Sequence, residues 1–158
     1  MRNVLVIGAG KSSSYLIDYL QKKSDSENLH ITIADVSVES IQSRAGDHSN
    51  STPLEFDVFN EEQRRSEIQK ADIVVSMLPA RFHVDVAKDC VEFGKHMVTA
   101  SYISPEMQEL DAKAKEKGLV FMNEIGVDPG IDHMSAMQVI DRIRENDAKI
   151  LLFESFTG

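Results

Sequence analysis

Asn3-Val4-Leu5-Val6-Ile7-Gly8-Ala9-Gly10-Lys11-Ser12-Ser13 is the stretch on which the fold turns. Val4 to Ile7 is a short apolar run rich in β-branched residues, the composition of a strand buried on both faces of a parallel sheet. Gly8 and Gly10 end that run, and a helical pattern starts at Lys11 or Ser12, with Leu16 and Leu20 one turn apart. A strand that turns sharply into a helix leaves unpaired backbone N–H groups and a positive dipole end aimed at one point. A pyrophosphate fits there, because the glycines let the backbone approach it closely. Ser13 stands where the G-x-G-x-x-G pattern has its third glycine, a position that packs helix on strand and tolerates another small residue. A Gly-x-Gly alone also suits an ordinary tight turn. The added signal is Asp35, at the end of the next apolar strand (His30 to Ala34), about 20 residues on, where an acid for the ribose hydroxyls is expected. Gly8, Ala9, Gly10, Lys11, Ser12, Ser13 and Asp35 therefore read as a dinucleotide site.

Bulk composition narrows the remaining classes. A chain of 158 residues can bury one core, so residues 1–158 are read as a single domain. A net charge of −9 removes the general attraction that nucleic acid or an anionic membrane would exert, and neither partner is expected. Cys90 is the only cysteine, which rules out an intrachain disulfide and points to a reducing compartment. Nothing at the N-terminus reads as a signal peptide, and no apolar run approaches the ~20 residues that span a bilayer. The expected location is cytoplasmic.

Strand and helix signals alternate along the chain. Gln21 to Asn28 reads as a polar loop, and Val38, Ile41 and Ala45 give a weak helical face. Arg44 to Thr52 reads as a turn and Pro53 to Val58 as a strand. Asn60 and Gln63 form a capping-box-like pair for a charged surface helix that ends near Lys70, with Ile68 as its main apolar contact. Asp72 to Met77 is the next strand. Phe82, Val86, Cys90 and Phe93 then make one buried helical stripe, which makes Cys90 a core residue and not a nucleophile. Gly94 stops that helix, and His96 to Ala100 is a strand. Ser104-Pro105 reads as an N-cap with proline at the first helical position, ahead of an apolar face of Met107, Leu110 and Ala114. Gly118 suits the helix end, and Leu119 to Met122 is a strand. A loop over Asn123 to Gly130 leads to a helix with Met134, Met137, Ile140 and Ile143, whose methionines are expected to fill core gaps. Lys149 to Phe156 reads as the start of a further strand. This alternation predicts a doubly wound parallel α/β sheet of the Rossmann type, in three α/β/α layers. A chain that stops as an apolar strand leads outward is expected to be a fragment of a larger two-domain enzyme.

Ligands of such sheets lie beyond the carboxyl ends of the strands. Two of those ends have unusual content. Ala100-Ser101-Tyr102-Ile103-Ser104 places hydroxyls and a phenol where a nicotinamide or a substrate would lie, although Ser101 and Tyr102 also suit a plain turn. Asp128 sits in Val127-Asp128-Pro129-Gly130, where a common turn and a functional loop are equally good readings. No metal site is expected. Adjacent Asp132 and His133 diverge by about 100° on a helix, so Asp132 reads as a cap and His133 as local packing. His83 and His96 have nothing nearby in sequence to make a catalytic pair.

Two long stretches carry a family resemblance: Ser101-Tyr102-Ile103-Ser104-Pro105-Glu106-Met107 and Asn123-Glu124-Ile125-Gly126-Val127-Asp128-Pro129-Gly130-Ile131-Asp132-His133. Ser76-Met77-Leu78-Pro79 with Phe82-His83 supports them. The chain resembles the N-terminal part of the L-glutamate-forming saccharopine dehydrogenases, also called saccharopine reductases. The resemblance implies an NAD(P)-dependent oxidoreductase of lysine metabolism, homodimeric as the parent enzyme. Its hydride transfer at a CH–NH (imine) carbon would interconvert saccharopine with aminoadipate semialdehyde plus glutamate. It further implies that Ala9 to Ser12, Asp57, Val58, Leu78, Ala100, Ser101, Val127, Asp128 and Pro129 contact the cofactor. Ser101, Tyr102 and Asp128 would meet the substrate, with Tyr102 and Asp128 as the catalytic pair.

Three departures stand out. Asp35 is acidic where NADP-using relatives are more accommodating, so NAD is expected over NADP. Thr157 stands where some relatives carry cysteine. The family's second domain is absent, so this chain alone should bind cofactor without turnover. A rival reading is a non-catalytic NAD-sensing module, which would use the glycine turn and Asp35 but would leave Ser101–Met107 and Asn123–His133 without a purpose.

Overall fold

The computed structural model describes residues 1–156. Six strands, β1 (Arg2–Ile7), β2 (Leu29–Asp35), β3 (Ser51–Glu55), β4 (Ile73–Ser76), β5 (His96–Thr99) and β6 (Phe121–Met122), form one sheet in the order β3-β2-β1-β4-β5-β6. Every neighbouring pair is parallel. The helices are α1 (Ser14–Glu27), α2 (Val38–Ala45), α3 (Glu61–Lys70), α4 (His83–Phe93), α5 (Pro105–Gln108), α6 (Asp111–Glu116) and α7 (Ile131–Glu145). Single 3-10 turns lead into α1 and α4. The strand order reverses between β1 and β4, which puts the ligand crevice of a doubly wound sheet outside their carboxyl ends.

The side-chain alternation of β1 divides the core in two. Val4 and Val6 pack with Ile17 of α1, Ile41 of α2, and Ile31 and Ile33 of β2. Leu5 and Ile7 face the other way, toward Ile68 of α3, Val86 and Cys90 of α4, and Met97 and Met107. Burial on both faces is why these strands read as unbroken apolar runs. Apolar surroundings push the Cys90 thiol up to about 12, as suits a core residue.

Several segments differ from expectation. Gln21–Glu27 is helix, not loop: Gln21 donates from Nε2 to the carbonyls of Arg44 and Ala45 and to Ser51, and buried Ser24 accepts from Asn50. These partners make the polar half of α1 an interface with the α2–β3 connection, and Asn28 ends it in a left-handed conformation (φ 55°). β3 begins at Ser51, ahead of Pro53, which an edge strand tolerates. Gln63 accepts no role as a reciprocal cap. Its amide instead bridges the Asp57 N–H and the Glu55 carbonyl, while Asn60 caps α3.

The helix after Ser104-Pro105 is broken into α5 and α6. Met134 and Met137 on α7 are exposed, at 59% and 44%, because no other described element covers that face. Residues 149–156 pair with no strand. Thr157 lies outside the described residues.

One buried polar cluster joins α3 to α4. Asp89, nearly sequestered, accepts from Arg64 Nε at 2.6 Å and from Arg65 at 2.9 Å. Arg65 also pairs with Glu92 and lies over the Phe93 ring, 4.8 Å from its centroid. Removing the buried anion strands two cations, whereas removing the half-exposed Arg65 does not. Urea unfolding should therefore show Asp89→Ala costing about 3 kcal/mol and Arg65→Gln under about 1 kcal/mol. Equal small losses would show that Asp89 is not the anchor.

Candidate dinucleotide and substrate site

The crevice is built around Gly8. Its φ is +108°, and a Cβ there would fall 2.9 Å from the Met77 carbonyl oxygen, so only glycine lets β1 and β4 close to this separation. The Gly8 N–H donates to Ala34 and the Met77 N–H to Ile7, which locks three strand ends together. The following turn is held by Asp35. One of its oxygens accepts the Ala9 N–H at 2.7 Å and the other the Ser37 N–H at 2.9 Å. Ser13 is fully buried and turns its hydroxyl back to the Gly10 carbonyl, the small packing residue expected at the third position.

The N–H groups of Gly10, Lys11 and Ser12 have no partner among the described residues. A Cβ at Gly10 would meet nothing within 4 Å, so the fold itself places no demand for glycine there. Close approach of a pyrophosphate to free amides would supply that demand, and the residues present fit a dinucleotide.

The other expected contacts are distributed along the same edge. Asp57 caps the Phe59 N–H and remains exposed. Val58 turns its side chain into the core, and Arg64 takes its carbonyl, so Val58 offers a ligand little but backbone. Leu78 packs against the core just past β4. Phe59 meets Phe82 edge-on at 5.0 Å, joining the loop after β3 to the turn after β4.

Ala100, Ser101 and Tyr102 follow β5, and Val127, Asp128 and Pro129 follow β6. The structure draws these two loops together. The Glu124 N–H donates to the Ser101 carbonyl, and the Glu124 carboxylate accepts the Ile103 N–H at 3.0 Å. Within the second loop, Gly126 and Gly130 pair as a bridge. Gly130 has φ +148°, and a Cβ on it would lie 2.2 Å from the Gly126 oxygen. On this frame the Tyr102 hydroxyl donates to Asp128 Oδ1 at 2.8 Å, across 26 residues of sequence. That bond, with the charges of Asp128, Asp132 and Glu124, raises the Tyr102 pKa, so the phenol keeps its proton at neutral pH.

Asp132 is not the N-cap of α7, a position held by Gly130. It accepts the Gly130 N–H and pairs with His133 at 2.8 Å, which raises the His133 pKa. His133 is therefore an exposed ion-pair partner and not a packing residue.

Sequence reasoning missed His83. It is 3% exposed, with Nδ1 2.8 Å from Ser76 Oγ and Nε2 2.7 Å from Ser101 Oγ and 3.2 Å from Thr99 Oγ1. Burial pushes its pKa down, so the imidazole is neutral. The available signal was hydroxyls at the ends of adjacent strands, Ser76 and Thr99, which face each other in register.

The strand order, the glycine turn and the acid closing β2 define a Rossmann dinucleotide-binding domain. Residues 4–122 match the model of the saccharopine dehydrogenase NADP-binding domain, and the chain belongs to that family. It is 38% identical over 157 residues to the NADP-dependent, L-glutamate-forming saccharopine dehydrogenase of Pyricularia oryzae, covering 99% of this chain and 34% of that protein. It is 35% identical to the mitochondrial alpha-aminoadipic semialdehyde synthase of Mus musculus, covering 99% of this chain and 17% of that one. Among solved structures, the L-Glu-forming saccharopine dehydrogenase of Saccharomyces cerevisiae superposes with a TM-score of 0.79 at 32% identity, over 92% of this chain and 32% of that one. The chain thus spans about a third of the fungal relatives' length. It is a pyridine-nucleotide-binding domain. No described helix is long and apolar enough to cross a membrane.

The Tyr102–Asp128 bond yields a direct test. Asp128→Asn removes the charge that holds the phenol proton, so spectrophotometric titration should show the Tyr102 pKa falling toward that of free tyrosine. An unchanged value would mean that Asp128 does not face the phenol in solution.

Proposed function

We propose that the chain is the cofactor-binding part of an oxidoreductase acting at the CH–NH carbon of saccharopine, interconverting it with aminoadipate semialdehyde plus glutamate. The observation that carries this reading is the Tyr102–Asp128 pair, fixed on the rim after β5 and β6, at the same carboxyl edge of the sheet as the dinucleotide turn after β1. The bound nicotinamide nucleotide would accept or donate the hydride. This chain's residues would hold and orient the reactants. The free amides of Gly10, Lys11 and Ser12 would bind the pyrophosphate, and Ala100, Ser101 and the Val127–Pro129 segment would border the nicotinamide half. An imine that gains positive charge on protonation is stabilised by the fixed carboxylate of Asp128. Tyr102, with its raised pKa, acts as a hydrogen-bond donor that orients this carboxylate and not as a base. A sensing module without turnover would have no use for this pair. The substrate is a small amino-acid conjugate, the parent a homodimer, and the compartment the cytoplasm, although the mouse relative is named as mitochondrial.

For the cofactor we infer NAD over NADP, in departure from the NADP that the family model and the fungal relative name. Asp35 ends β2, and Val36-Ser37-Val38-Glu39 after it adds a second carboxylate and no cation. Each Asp35 oxygen accepts one backbone N–H and keeps a lone pair for a ribose hydroxyl, but a 2′-phosphate would meet like charge. Calorimetry on this chain should give NAD at least about tenfold tighter than NADP, roughly 1.4 kcal/mol. Equal affinities, or tighter NADP, would overturn the preference while leaving nucleotide binding intact. In a longer protein that carries this chain and its substrate domain, Asp128→Asn should lower kcat by about a hundredfold, far more than it weakens NAD. Near-native turnover would remove Asp128 from the mechanism.

A further inference from the structure

We propose that His83 is a positioning residue that fixes the Ser101 hydroxyl as a hydrogen-bond donor to the carboxamide oxygen of the nicotinamide, an inference that rests on the cofactor site described above. The polarity follows from counting hydrogens around a sealed imidazole. Ser76 is fully buried, and among the described residues its hydroxyl meets only His83 Nδ1. A neutral imidazole carries a single N–H.

If that hydrogen is on Nδ1, the Ser76 hydroxyl hydrogen has no acceptor. The single Nε2 lone pair then serves Ser101 at 2.7 Å, and the buried Thr99 hydroxyl hydrogen is stranded as well. If the hydrogen is on Nε2, Ser76 donates to Nδ1 and Nε2 donates to Ser101 Oγ; of the fully buried hydroxyls only Thr99 then lacks an acceptor for its hydrogen, while that of half-buried Ser101 is left free. Buried polar hydrogens are rarely left unpaired, so the arrangement with one orphan prevails over that with two. Ser101 Oγ then receives its hydrogen bond from behind, and its own hydrogen is free to point out of the sheet edge.

The direction of that edge selects the acceptor. Asp35, at the end of β2, marks the adenosine side of the glycine turn, and the order β2-β1-β4-β5 places Ser101 on the opposite side. A dinucleotide lying across the crevice therefore presents its nicotinamide half to Ser101. His83 reaches this point because it is the first residue of α4, tethered to β4 through Ser76 and to β5 through Thr99.

Two measurements on the 158-residue chain test the inference. In 15N NMR of the unsubstituted protein, His83 should carry its hydrogen on Nε2 with Nδ1 bare, and the opposite tautomer would overturn the assignment. Calorimetry would then compare NAD with ADP-ribose, which lacks the nicotinamide. Ser101→Ala and His83→Leu should each weaken NAD by about fivefold and leave ADP-ribose within about twofold, as loss of one neutral hydrogen bond predicts. The double variant should be no weaker than either single one. His83→Gln, which can still donate near the Nε2 position, should recover most of the loss. Parallel losses for NAD and ADP-ribose, or a Ser101→Ala that binds NAD normally, would overturn the proposal. Failure of the unsubstituted chain to bind either nucleotide would instead sink the cofactor site itself, and the tautomer would still decide the hydrogen polarity at Ser101.

Discussion

The contact between Gly8 and the Met77 backbone is the constraint on which the rest of the molecule depends. A parallel sheet that reverses its strand order must bring the ends of β1 and β4 side by side while the two chains leave in opposite directions. Any side chain at Gly8 would collide with the Met77 carbonyl, and the positive φ would strain it further. With the two ends closed, the turn at Ala9–Ser12 stands out over the sheet, and Asp35 can span from β2 to the Ala9 N–H. The same carboxylate thus sets the turn's shape from the end of the neighbouring strand.

A second set, at the far rim, depends on backbone bonds and hardly at all on apolar packing. The Gly126–Gly130 bridge and the reach of Glu124 to Ile103 hold two loops whose side chains are mostly in water. Tyr102 and Asp128 meet there without a hydrophobic floor. Their bond is consequently sensitive to charge, with Asp132 and Glu124 adding to the field around the phenol.

The strands were legible because burial on both faces writes itself as unbroken apolar runs, as in Val4–Ile7 and Ile73–Val75. The glycine turn, Asp35, the Asn60 and Ser104 caps and the Cys90 stripe were legible for similarly local reasons. What escaped is what only tertiary structure decides. Gln21 and Ser24 look like loop residues until the α2–β3 connection supplies their partners. Met134 and Met137 have helical spacing, but spacing does not report whether anything covers the face. Residues 149–156 have strand composition without a strand beside them. His83 was dismissed because its partners lie 7, 16 and 18 residues away, at separations that carry no pattern.

Helix α4 shows how these levels combine. It packs an apolar stripe, with Val86 and Cys90 in the core, and a shift of one residue would turn that stripe by about 100° away from the sheet. Two buried polar groups, one at its first residue and one in its second half, add to that constraint. Asp89 is clamped by Arg64 and Arg65 from α3, and His83 is clamped by hydroxyls from β4 and β5. The same shift would strand the buried Asp89 carboxylate in the second half of the helix and the buried His83 imidazole at its start. The register of α4 is therefore specified by its apolar stripe and its two polar clamps together. Because the second clamp includes Ser101, the interaction that fixes the helix also fixes a hydroxyl at the edge of the cofactor crevice.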